Sequence, residues 1–416
     1  MKIAMMTNSY KPFVAGVPIS IERLSEGLRA NGHEVVVFAP DYEGQEADDN
    51  IERYHALVKG IVNGFSVPNS LDPKIEKRFR KENFDVIHVH HPMLIGRTAL
   101  YLSRKYHVPL CYTYHTRYEQ YLHYIMELPV LQNPFTKSLT AKPLWPKDIV
   151  QNYVNRYAGQ CDVVFAPTPS MQAYLEENGS CSKIAVLPTG LGKESFEADE
   201  QEAAYLREVL CGEKKYLFCT VARLAKEKNL DFLFHALAMR KEKRGADFRL
   251  AVVGDGPCKE QLCELAEALG IREDVAFVGA VPNEKVKNYC RAADFFLFSS
   301  LSETQGIVLL EAMAAATPVL TVKASGVRDV VVNGRNGYMT SASEMEFENK
   351  LDELLRQDRA YLEQGAVETA KKYEMREIAK RAVVYYNIAI RNHNQDSNRE
   401  REEKRLGSIS YFNCRG

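Results

Sequence analysis

The chain has 416 residues, of which 45% are hydrophobic and 26% charged, a balance that is ordinary for a folded protein and excludes wholesale disorder, collagen and coiled coil. Basic and acidic residues number 54 and 55, so no global positive field indicates a nucleic-acid partner. The longest apolar run, residues 306–322, is interrupted by Glu311 and Pro318 and is too short to cross a bilayer. The length accommodates two or three domains.

The N-terminus and the cysteines indicate the compartment. The first residues lack the apolar core and the small-residue cleavage site of a secretory signal. The nine cysteines are an odd number, and none forms Cys-x-x-Cys. We therefore expect a reducing cytosol, no disulfide framework and no zinc site made of thiolates.

Short apolar runs alternate with helical segments through the first half of the chain. The run 3–6 leads through a loop at Ala15 and Gly16 into an amphipathic helix that stops at Asn31-Gly32. Apolar strands joined by helices indicate a parallel sheet that is covered on both faces. Further strands are predicted at residues 34–38, 85–89, 109–113, 162–166 and 184–187, with a helix at 94–106.

A second series of the same kind follows Pro188-Thr189-Gly190. The predicted fold class is α/β, with two Rossmann-like doubly wound domains, residues 1–190 and 191–385, facing a central cleft that receives ligands at the carboxyl ends of the strands. Residues 386–416 are predicted to be a helix end and a charged, mobile tail. The second series of strands is predicted at 216–221, 249–253, 275–278, 295–298 and 318–322, with helices beginning near residues 229, 257, 283 and 306 and more helices over 343–392.

One region combines aromatic residues with positive charge. Residues 116–150 have no clean period and hold several tyrosines and the only tryptophan, Trp145, which is typical of a functional loop. Residues 71–156 contain 13 basic and 7 acidic residues. Because the whole protein is neutral, this local excess marks the segment as a candidate contact with an anionic surface.

Within it, residues 71–84 predict a two-sided helix. Leu71, Ile75 and Phe79 fall on one side. The helix is either a solvated cover of the sheet or an interfacial membrane face, and we expect a membrane contact to include 71–84 and the loop 116–150. The basic residues of the opposite side are Lys74, Lys77, Arg78 and Lys81.

Two cations follow the strand that ends at Val221. Arg223 and Lys228 precede a helix, where arginine can grip an anionic diphosphate with two hydrogen bonds and lysine adds a point charge. A solvated basic loop is the alternative. Gly254 and Gly256 follow the next strand, where glycine permits close backbone approach, as in many tight turns without a ligand.

The most informative stretch is SETQGIVLLEAMA at residues 302–314. Gly306 opens a helix directly after an apolar strand, and the N–H groups of its first turn, at Ile307 and Val308, are suited to phosphate oxygens. Glu303 lies in the loop before the helix, and its carboxylate can accept sugar hydroxyls. Glu311 lies among apolar side chains, so we predict a buried acid that is paired with the hydroxyls of a ribose.

Four histidines lie close to predicted strand ends. His88 and His90 share a strand face while His91 points away, and no nearby acid or thiolate completes a metal site, so we expect no metal. His115 lies at the carboxyl end of the strand 109–113, where ligand groups belong. A structural histidine is the alternative for His115.

At this point the motifs resemble those of the family-4 retaining glycosyltransferases, which have the two-domain GT-B fold, over residues 1–385. The family's Arg-x4-Lys matches Arg223 and Lys228, and its Glu-x7-Glu matches Glu303 and Glu311. The resemblance implies that the first pair binds the donor pyrophosphate and that the second contacts the donor sugar and the ribose. It implies no metal and no cofactor besides the nucleotide-sugar substrate.

Two further motifs are carried over from this family. Its active-site histidine falls on His115, and its glycine-rich first loop matches Gly16, with Ala15 in place of a second glycine. TYHTRYEQYLHYI at residues 113–125 narrows the resemblance to bacterial diacylglycerol glucosyltransferases. This implies transfer of glucose from UDP-glucose to a membrane diacylglycerol by a cytoplasmic enzyme that is held peripherally on the inner face of the plasma membrane.

Several alternatives remain open at the level of sequence. The donor sugar could be galactose, and the acceptor could be another lipid such as ceramide, an envelope saccharide or a small metabolite. A non-hydrolysing UDP-sugar epimerase on the same fold would convert its substrate without an acceptor. A silent nucleotide-sugar sensor would bind without turnover, but the acidic and basic motifs are intact.

Overall fold

A computed structural model describes residues 1–13, 15–45, 47–59, 66–115, 117, 147–179 and 183–413, with only the backbone described for 147, 148 and 396–413. The chain divides into two compact units. The first consists of Met1–Leu187 and Ile378–Gly416, and the second of Pro188–Glu377. The functional loop predicted at residues 116–150 lies outside the described residues, except for Arg117 and for residues 147–150, which begin a helix.

The first unit is built on a seven-stranded parallel sheet in the order β3-β2-β1-β6-β7-β8-β9. A small antiparallel pair, β4 and β5, follows β3. The central strands are buried on both faces, which is why their sequences are continuous apolar runs. The strands are β1 (Lys2–Met6), β2 (Glu34–Pro40), β3 (Ile51–Tyr54), β4 (Ala56–Val58), β5 (Val67–Pro68), β6 (Val86–Val89), β7 (Leu110–Thr113), β8 (Val163–Ala166) and β9 (Ile184–Val186).

The helices of the first unit connect consecutive strands of its sheet. Helix α2 (Pro73–Lys81) begins after Asp72, whose carboxylate accepts from the backbone N–H of Lys74 at 2.9 Å. Leu71 therefore precedes the helix and is 86% exposed, so the prediction that it shares one side of a helix with Ile75 and Phe79 is wrong. The others are α1 (Gly16–Ala30), α3 (Ile95–Tyr106), α4 (Lys147–Ala158) and α5 (Pro169–Glu177).

The second unit repeats the plan with a six-stranded parallel sheet in the order β12-β11-β10-β13-β14-β15. Its strands are β10 (Tyr216–Val221), β11 (Phe248–Val253), β12 (Val275–Gly279), β13 (Phe295–Phe298), β14 (Val319–Val322) and β15 (Gly337–Thr340). Its helices are α6 (Glu200–Cys211), α7 (Leu230–Arg244), α8 (Lys259–Ala268), α9 (Asn283–Ala292), α10 (Ile307–Ala314), α11 (Glu344–Leu354) and α12 (Ala360–Lys371).

The C-terminal helix differs from the predicted domain plan. Helix α13 (Met375–Asn413) leaves the second unit and packs on the first sheet, where Ile378, Ala382 and Tyr386 are buried beside Phe165. Residues 378–385 therefore belong to the first unit and not to the second. The backbone remains helical to Asn413, where the sequence analysis expected a mobile tail. The apolar stripe decides the outcome, because these side chains are buried only against the first sheet.

None of the helices within the described ranges has both the length and the apolar composition that a bilayer-spanning segment requires.

Candidate active site

The centre of the second sheet is a topological switch point. Neighbouring parallel strands β10 and β13 pair Phe218 with Phe295, yet the chain runs outward from β10 to one edge of the sheet before it returns to β13. The loops that follow these two strands therefore meet at one edge, where sheets of this type bind ligands. The loops are residues 222–229 and 299–306, and they carry most of the predicted site.

The first of these loops is held by close packing against the turn after β11. A Cβ at Gly254 would lie 2.0 Å from the carbonyl oxygen of Ala222, and one at Gly256 would lie 2.4 Å from that of Leu224. The backbone N–H of Leu224 donates to the carbonyl of Asp255 at 3.0 Å. Both glycines thus position the loop that bears the exposed Arg223, while their contact with the donor stays a prediction.

Lys228 and Glu303 join the two loops. Lys228 Nζ donates to Glu303 Oε1 at 2.6 Å, and both side chains are partly buried. The Ser299 hydroxyl donates to the Lys228 carbonyl at 3.0 Å, which fixes the backbone of the first loop to the end of β13. The structure therefore brings together one member of each motif that the sequence singled out.

Gly306 begins helix α10 in a left-handed conformation, with φ of 73°. The loop before it rests on Gly326, whose N–H donates to the Glu303 carbonyl at 3.1 Å, and a Cβ on Gly326 would lie 2.6 Å from the Gln305 nitrogen. In the first turn Ile307 and Val308 keep part of their surface exposed. Gly306 itself is buried, so contact of an anion with the N–H groups at Ile307 and Val308 stays a prediction.

Glu311 follows one turn later in α10. It is partly exposed, so the prediction of a buried acid is wrong in degree. Leu309, Leu310 and Ala312 are buried around it, so Glu311 shares the partly exposed side of the helix with Ile307 and Val308. The proposed contact of Glu311 with a ribose stays a prediction.

Sequence reasoning missed Gln305. Its buried amide accepts from the Thr189 N–H at 2.7 Å and donates to the Thr189 carbonyl at 3.0 Å. This reciprocal pair ties the loop of Glu303 to residues 188–190, which begin the second unit. A glutamine between an apolar strand and a helix is a sequence signal for such a contact. When its side chain is buried, both the amide oxygen and the amide nitrogen need hydrogen-bond partners.

In the first unit, Gly16 begins helix α1 and has open space where a Cβ would be. The loop after β1 is held by Asn8, which the sequence analysis also missed. Its amide donates to the Met93 carbonyl at 3.1 Å, and its oxygen accepts from the Ile95 N–H at 3.2 Å. Asn8 thereby joins the ends of β1 and β6, the switch point of the first sheet. A donor contact at Gly16 stays a prediction.

Four histidines form a network at the carboxyl ends of β6 and β7. The rings of His88 and His90 stack with centroids 4.3 Å apart, as their predicted shared face requires, and His115 lies 5.1 Å from His90. His88 bonds Tyr386 Oη at 2.7 Å through Nδ1 and the Thr113 hydroxyl at 2.6 Å through Nε2. His115 thus lies just past the end of β7, where the sequence placed it.

Burial disfavours the charged form of these rings, completely at His88 and His90 and in part at His91 and His115, which retain some exposed surface. It lowers the pKa of His88 to about 3 and that of His91 to about 4. Burial, and then the neighbouring rings, hold the pKa values of His90 and His115 well below the usual 6.5. No group of three or more His, Cys, Asp or Glu side chains that could hold a metal ion is found in the described ranges.

Two family models cover most of the chain. "Glycosyltransferase Family 4" matches residues 14–194, and "Glycosyl transferases group 1" matches residues 203–373. The alpha-monoglucosyldiacylglycerol synthase of Acholeplasma laidlawii is 30% identical over 366 residues, which are 86% of this chain and 87% of the relative. The chain belongs to the family-4 glycosyltransferases.

Other relatives of this glycosyltransferase include a second synthase of the same name and an enzyme named for a GDP-mannose donor. The alpha-monoglucosyldiacylglycerol synthase of Streptococcus pneumoniae is 30% identical and covers 77% of this chain and 70% of its own. A GDP-mannose-dependent alpha-mannosyltransferase of Corynebacterium glutamicum is 26% identical over 82% of this chain and 76% of its own. Among solved structures, Anabaena HepE in complex with UDP superimposes with a TM-score of 0.70 at 19% identity, covering 93% of this chain and all of that one, which establishes the shared GT-B fold.

The buried histidines of the glycosyltransferase predict a pH-dependent stability. Their pKa values are lower in the folded than in the unfolded chain, so the unfolded state takes up protons first as the pH falls below about 6.5. We expect the free energy of unfolding to fall by about 1 kcal/mol per buried histidine between about pH 7.5 and 5.5, measured by urea unfolding.

His91→Asn is the matched control for this experiment. Asparagine keeps an acceptor for the Asn8 N–H, which now donates to His91 Nδ1 at 3.1 Å, but it does not titrate. The variant is expected to lose about 1 kcal/mol less than the wild type over the same pH interval. Equal unfolding free energies of the wild type at both pH values contradict the prediction.

Proposed function

We propose that this glycosyltransferase moves glucose from UDP-glucose to the free hydroxyl of a membrane diacylglycerol and retains the α-configuration. The observation that carries the proposal is the 30% identity to two alpha-monoglucosyldiacylglycerol synthases over most of their length. The arrangement at the β10–β13 switch point supports it, because cations and a helix start lie at the edge where a nucleotide diphosphate would bind.

The difficult chemical event is the departure of UDP, during which negative charge grows on the phosphate. Arg223, Lys228 and the first turn of α10 are the groups proposed to stabilise that charge, and they would do so without a metal ion. Arginine suits paired phosphate oxygens, while the lysine ammonium has three N–H donors. Lys228 can therefore keep its bond to Glu303 and still donate to a phosphate.

The acidic residues are proposed to hold hydroxyl groups. Glu303 would accept from hydroxyls of the donor sugar, and Glu311 from those of the ribose. Because Lys228 already bonds one carboxylate oxygen of Glu303, at 2.6 Å, the carboxylate is held in place before any sugar arrives. Such preorganisation lowers the cost of ordering side chains when the substrate binds.

The transfer step is proposed to take place on one face of the sugar. The acceptor oxygen forms a bond to the anomeric carbon, the bond from that carbon to the UDP oxygen breaks, and the hydroxyl proton passes to the departing phosphate. His115 would orient the sugar. Its neutral ring suits it to hydrogen bonding with a hydroxyl more than to holding a proton.

A basic and apolar surface on the first unit supports a membrane acceptor. Leu71 is 86% exposed and Leu57 of β4 is 67% exposed, and their segments are joined because the His55 N–H donates to Asp72 at 2.7 Å. Exposed apolar side chains flanked by cations are typical of an interfacial membrane face and less so of a merely solvated helix. The exposed cations of helix α2 are Lys74, Lys77, Arg80 and Lys81, whereas Arg78 is partly buried and pairs with Glu82 at 3.1 Å.

The product identifies donor and acceptor. We expect the purified enzyme to form a monoglucosyl lipid from UDP-glucose and diacylglycerol vesicles, detected by mass spectrometry, with activity that scales with bilayer area. Parallel reactions use UDP-galactose, GDP-mannose, ceramide and soluble acceptors. A glycosylated soluble acceptor formed at the same rate without vesicles contradicts the lipid proposal, and conversion of UDP-glucose without any acceptor identifies an epimerase.

Removing the phosphate-binding cations is expected to lower turnover. Arg223→Ala should cost roughly 10²- to 10³-fold, and Lys228→Ala a comparable factor, because each removes charge stabilisation from the departing phosphate. Glu303→Gln should also slow transfer. The matched control is Lys226→Ala, which removes an exposed cation from the same loop and should remain close to the wild type. Wild-type rates in both Arg223→Ala and Glu303→Gln would overturn the site assignment.

Replacing the exposed cations of helix α2 tests whether this surface binds an anionic membrane. Replacing Lys74, Lys77, Arg80 and Lys81 together with glutamine should lower binding to anionic vesicles at least about tenfold at low salt, since each cation contributes up to about 1 kcal/mol. Co-sedimentation measures the effect. The control variant replaces four exposed cations outside residues 71–156, Lys183, Lys215, Lys371 and Lys372, and so has the same net charge. Equal losses in both variants would show that only net charge matters.

A further inference from the structure

Leu94, the residue before helix α3, has a backbone conformation that leucine rarely adopts. Its φ is 55° and its ψ is −100°. In this region the Cβ of any residue other than glycine is crowded by its own backbone, so a bulky side chain there is strained. Such strain persists only where the surrounding structure imposes it, and it is concentrated at active sites and ligand clamps.

The side chain of Asn8 holds the backbone on both sides of Leu94. Its amide nitrogen donates to the Met93 carbonyl at 3.1 Å, and its amide oxygen accepts from the Ile95 N–H at 3.2 Å. Ile95 is fully buried in the core of the first unit, which fixes the start of helix α3. Leu94 therefore lies between two residues that cannot shift to relieve its strain.

Helix α4 holds the same segment through two tyrosines. The Tyr153 hydroxyl donates to the Pro92 carbonyl at 3.1 Å, and the Tyr157 hydroxyl donates to the Gly96 carbonyl at 3.0 Å. These contacts lie two residues before and two residues after Leu94. The conformation of Leu94 is thus imposed from β1 and from α4 together, as a strained functional residue requires.

The side chain that this turn presents is not packed in the core. Leu94 is 43% exposed. It belongs to the segment that follows β6, at the same edge of the first sheet as His115. Ile149 and Tyr153, which lie one turn apart on α4, are exposed as well. Apolar surface is therefore held near the predicted sugar-binding histidine.

We propose that Leu94 is a specificity-determining residue whose side chain contacts the acyl chains of the acceptor lipid beside the hydroxyl that is glycosylated. The inference rests on the proposed function and adds the part of the acceptor that this edge of the sheet receives. A polar acceptor would gain nothing from an exposed leucine, whereas an acyl chain would remove its surface from water. Glycine would suit this backbone better, so the apolar side chain is what the strain retains.

Three substitutions of Leu94 in the full-length enzyme separate the backbone strain from the apolar side chain. Leu94→Gly should have a Tm equal to or above that of the wild type, because glycine adopts this conformation without crowding. Its KM for diacylglycerol in mixed vesicles should nevertheless rise about tenfold, as burial of one leucine side chain is lost. Leu94→Asn is polar but tolerates positive φ, and should show the same rise in KM. Leu94→Met keeps an apolar side chain and should stay within about twofold of the wild type.

Two controls show that the effect is confined to the acceptor. The KM for the nucleotide sugar and the binding to vesicles without diacylglycerol should be unchanged in all three variants. Val209→Ala, which truncates an exposed apolar side chain on α6 of the second unit, should leave both KM values unchanged. A lower Tm, a wild-type KM for diacylglycerol or a loss of vesicle binding in Leu94→Gly overturns the inference. A wild type that forms no glycosyl lipid refutes the proposed function and the inference with it.

Photochemical cross-linking tests the contact in the wild type and so does not depend on the folding of any variant. Diacylglycerol with a diazirine in one acyl chain is irradiated in vesicles with the enzyme, and mass spectrometry locates the modified residues. We expect adducts on residues 92–96 and on the first turns of α4, and excess unlabelled diacylglycerol should remove them. Adducts confined to other segments, such as the surface of helix α2, overturn the inference.

Discussion

Parallel pairing of the two central strands in each sheet is the constraint on which the rest of this structure depends. In the second unit β10 and β13 lie side by side, and the helices that follow them, α7 and α10, pack in two separate hydrophobic clusters. The carboxyl ends of both strands must then open onto one shared edge. Lys228 and Glu303 are far apart along the sequence, and it is this pairing that brings them to 2.6 Å.

The loops at this edge of the sheet are held in position by residues that contact other parts of the protein and need not touch a substrate. Gly254, Gly256 and Gly326 let backbone segments approach closer than any side chain would allow. Gln305 holds the loop of Glu303 through two hydrogen bonds to one residue. Rigid loops would favour the proposed chemistry, because electrostatic stabilisation of a leaving phosphate is effective only when its donors are already in position.

In the first unit, the packing and the hydrogen-bond partners of the histidines favour neutral imidazole rings inside the protein. Desolvation disfavours the charged ring, and the partners of His88 and His90 are hydroxyls, a sulfur and another ring. The last helix takes part, since Tyr386 of α13 bonds His88 across 298 residues of sequence. Thus the end of the chain completes the core of the unit in which the chain began.

The sequence alone predicted the two parallel sheets and the strand ends at which the named candidate residues lie. Apolar runs between helices have few other stable packings, and Arg223, Lys228, Glu303, Gly306 and His115 all lie at strand ends, where they were expected. Single positions at element ends were less certain. Leu71 was expected on the same side of a helix as Ile75 and Phe79, but the cap at Asp72 starts the helix after it.

The sequence did not predict which residues far apart in the chain contact one another. The return of Ile378 and Tyr386 to the first sheet, the bond from Gln305 to Thr189 and the contact of His90 with His115 leave no periodic trace in the chain. Local patterns arise because neighbouring residues share one helix or strand, so the sequence determined the elements and the chemistry of each motif. Partners joined across the sheet are chosen by packing and by the cost of burying unpaired polar groups, and only the tertiary structure decided them.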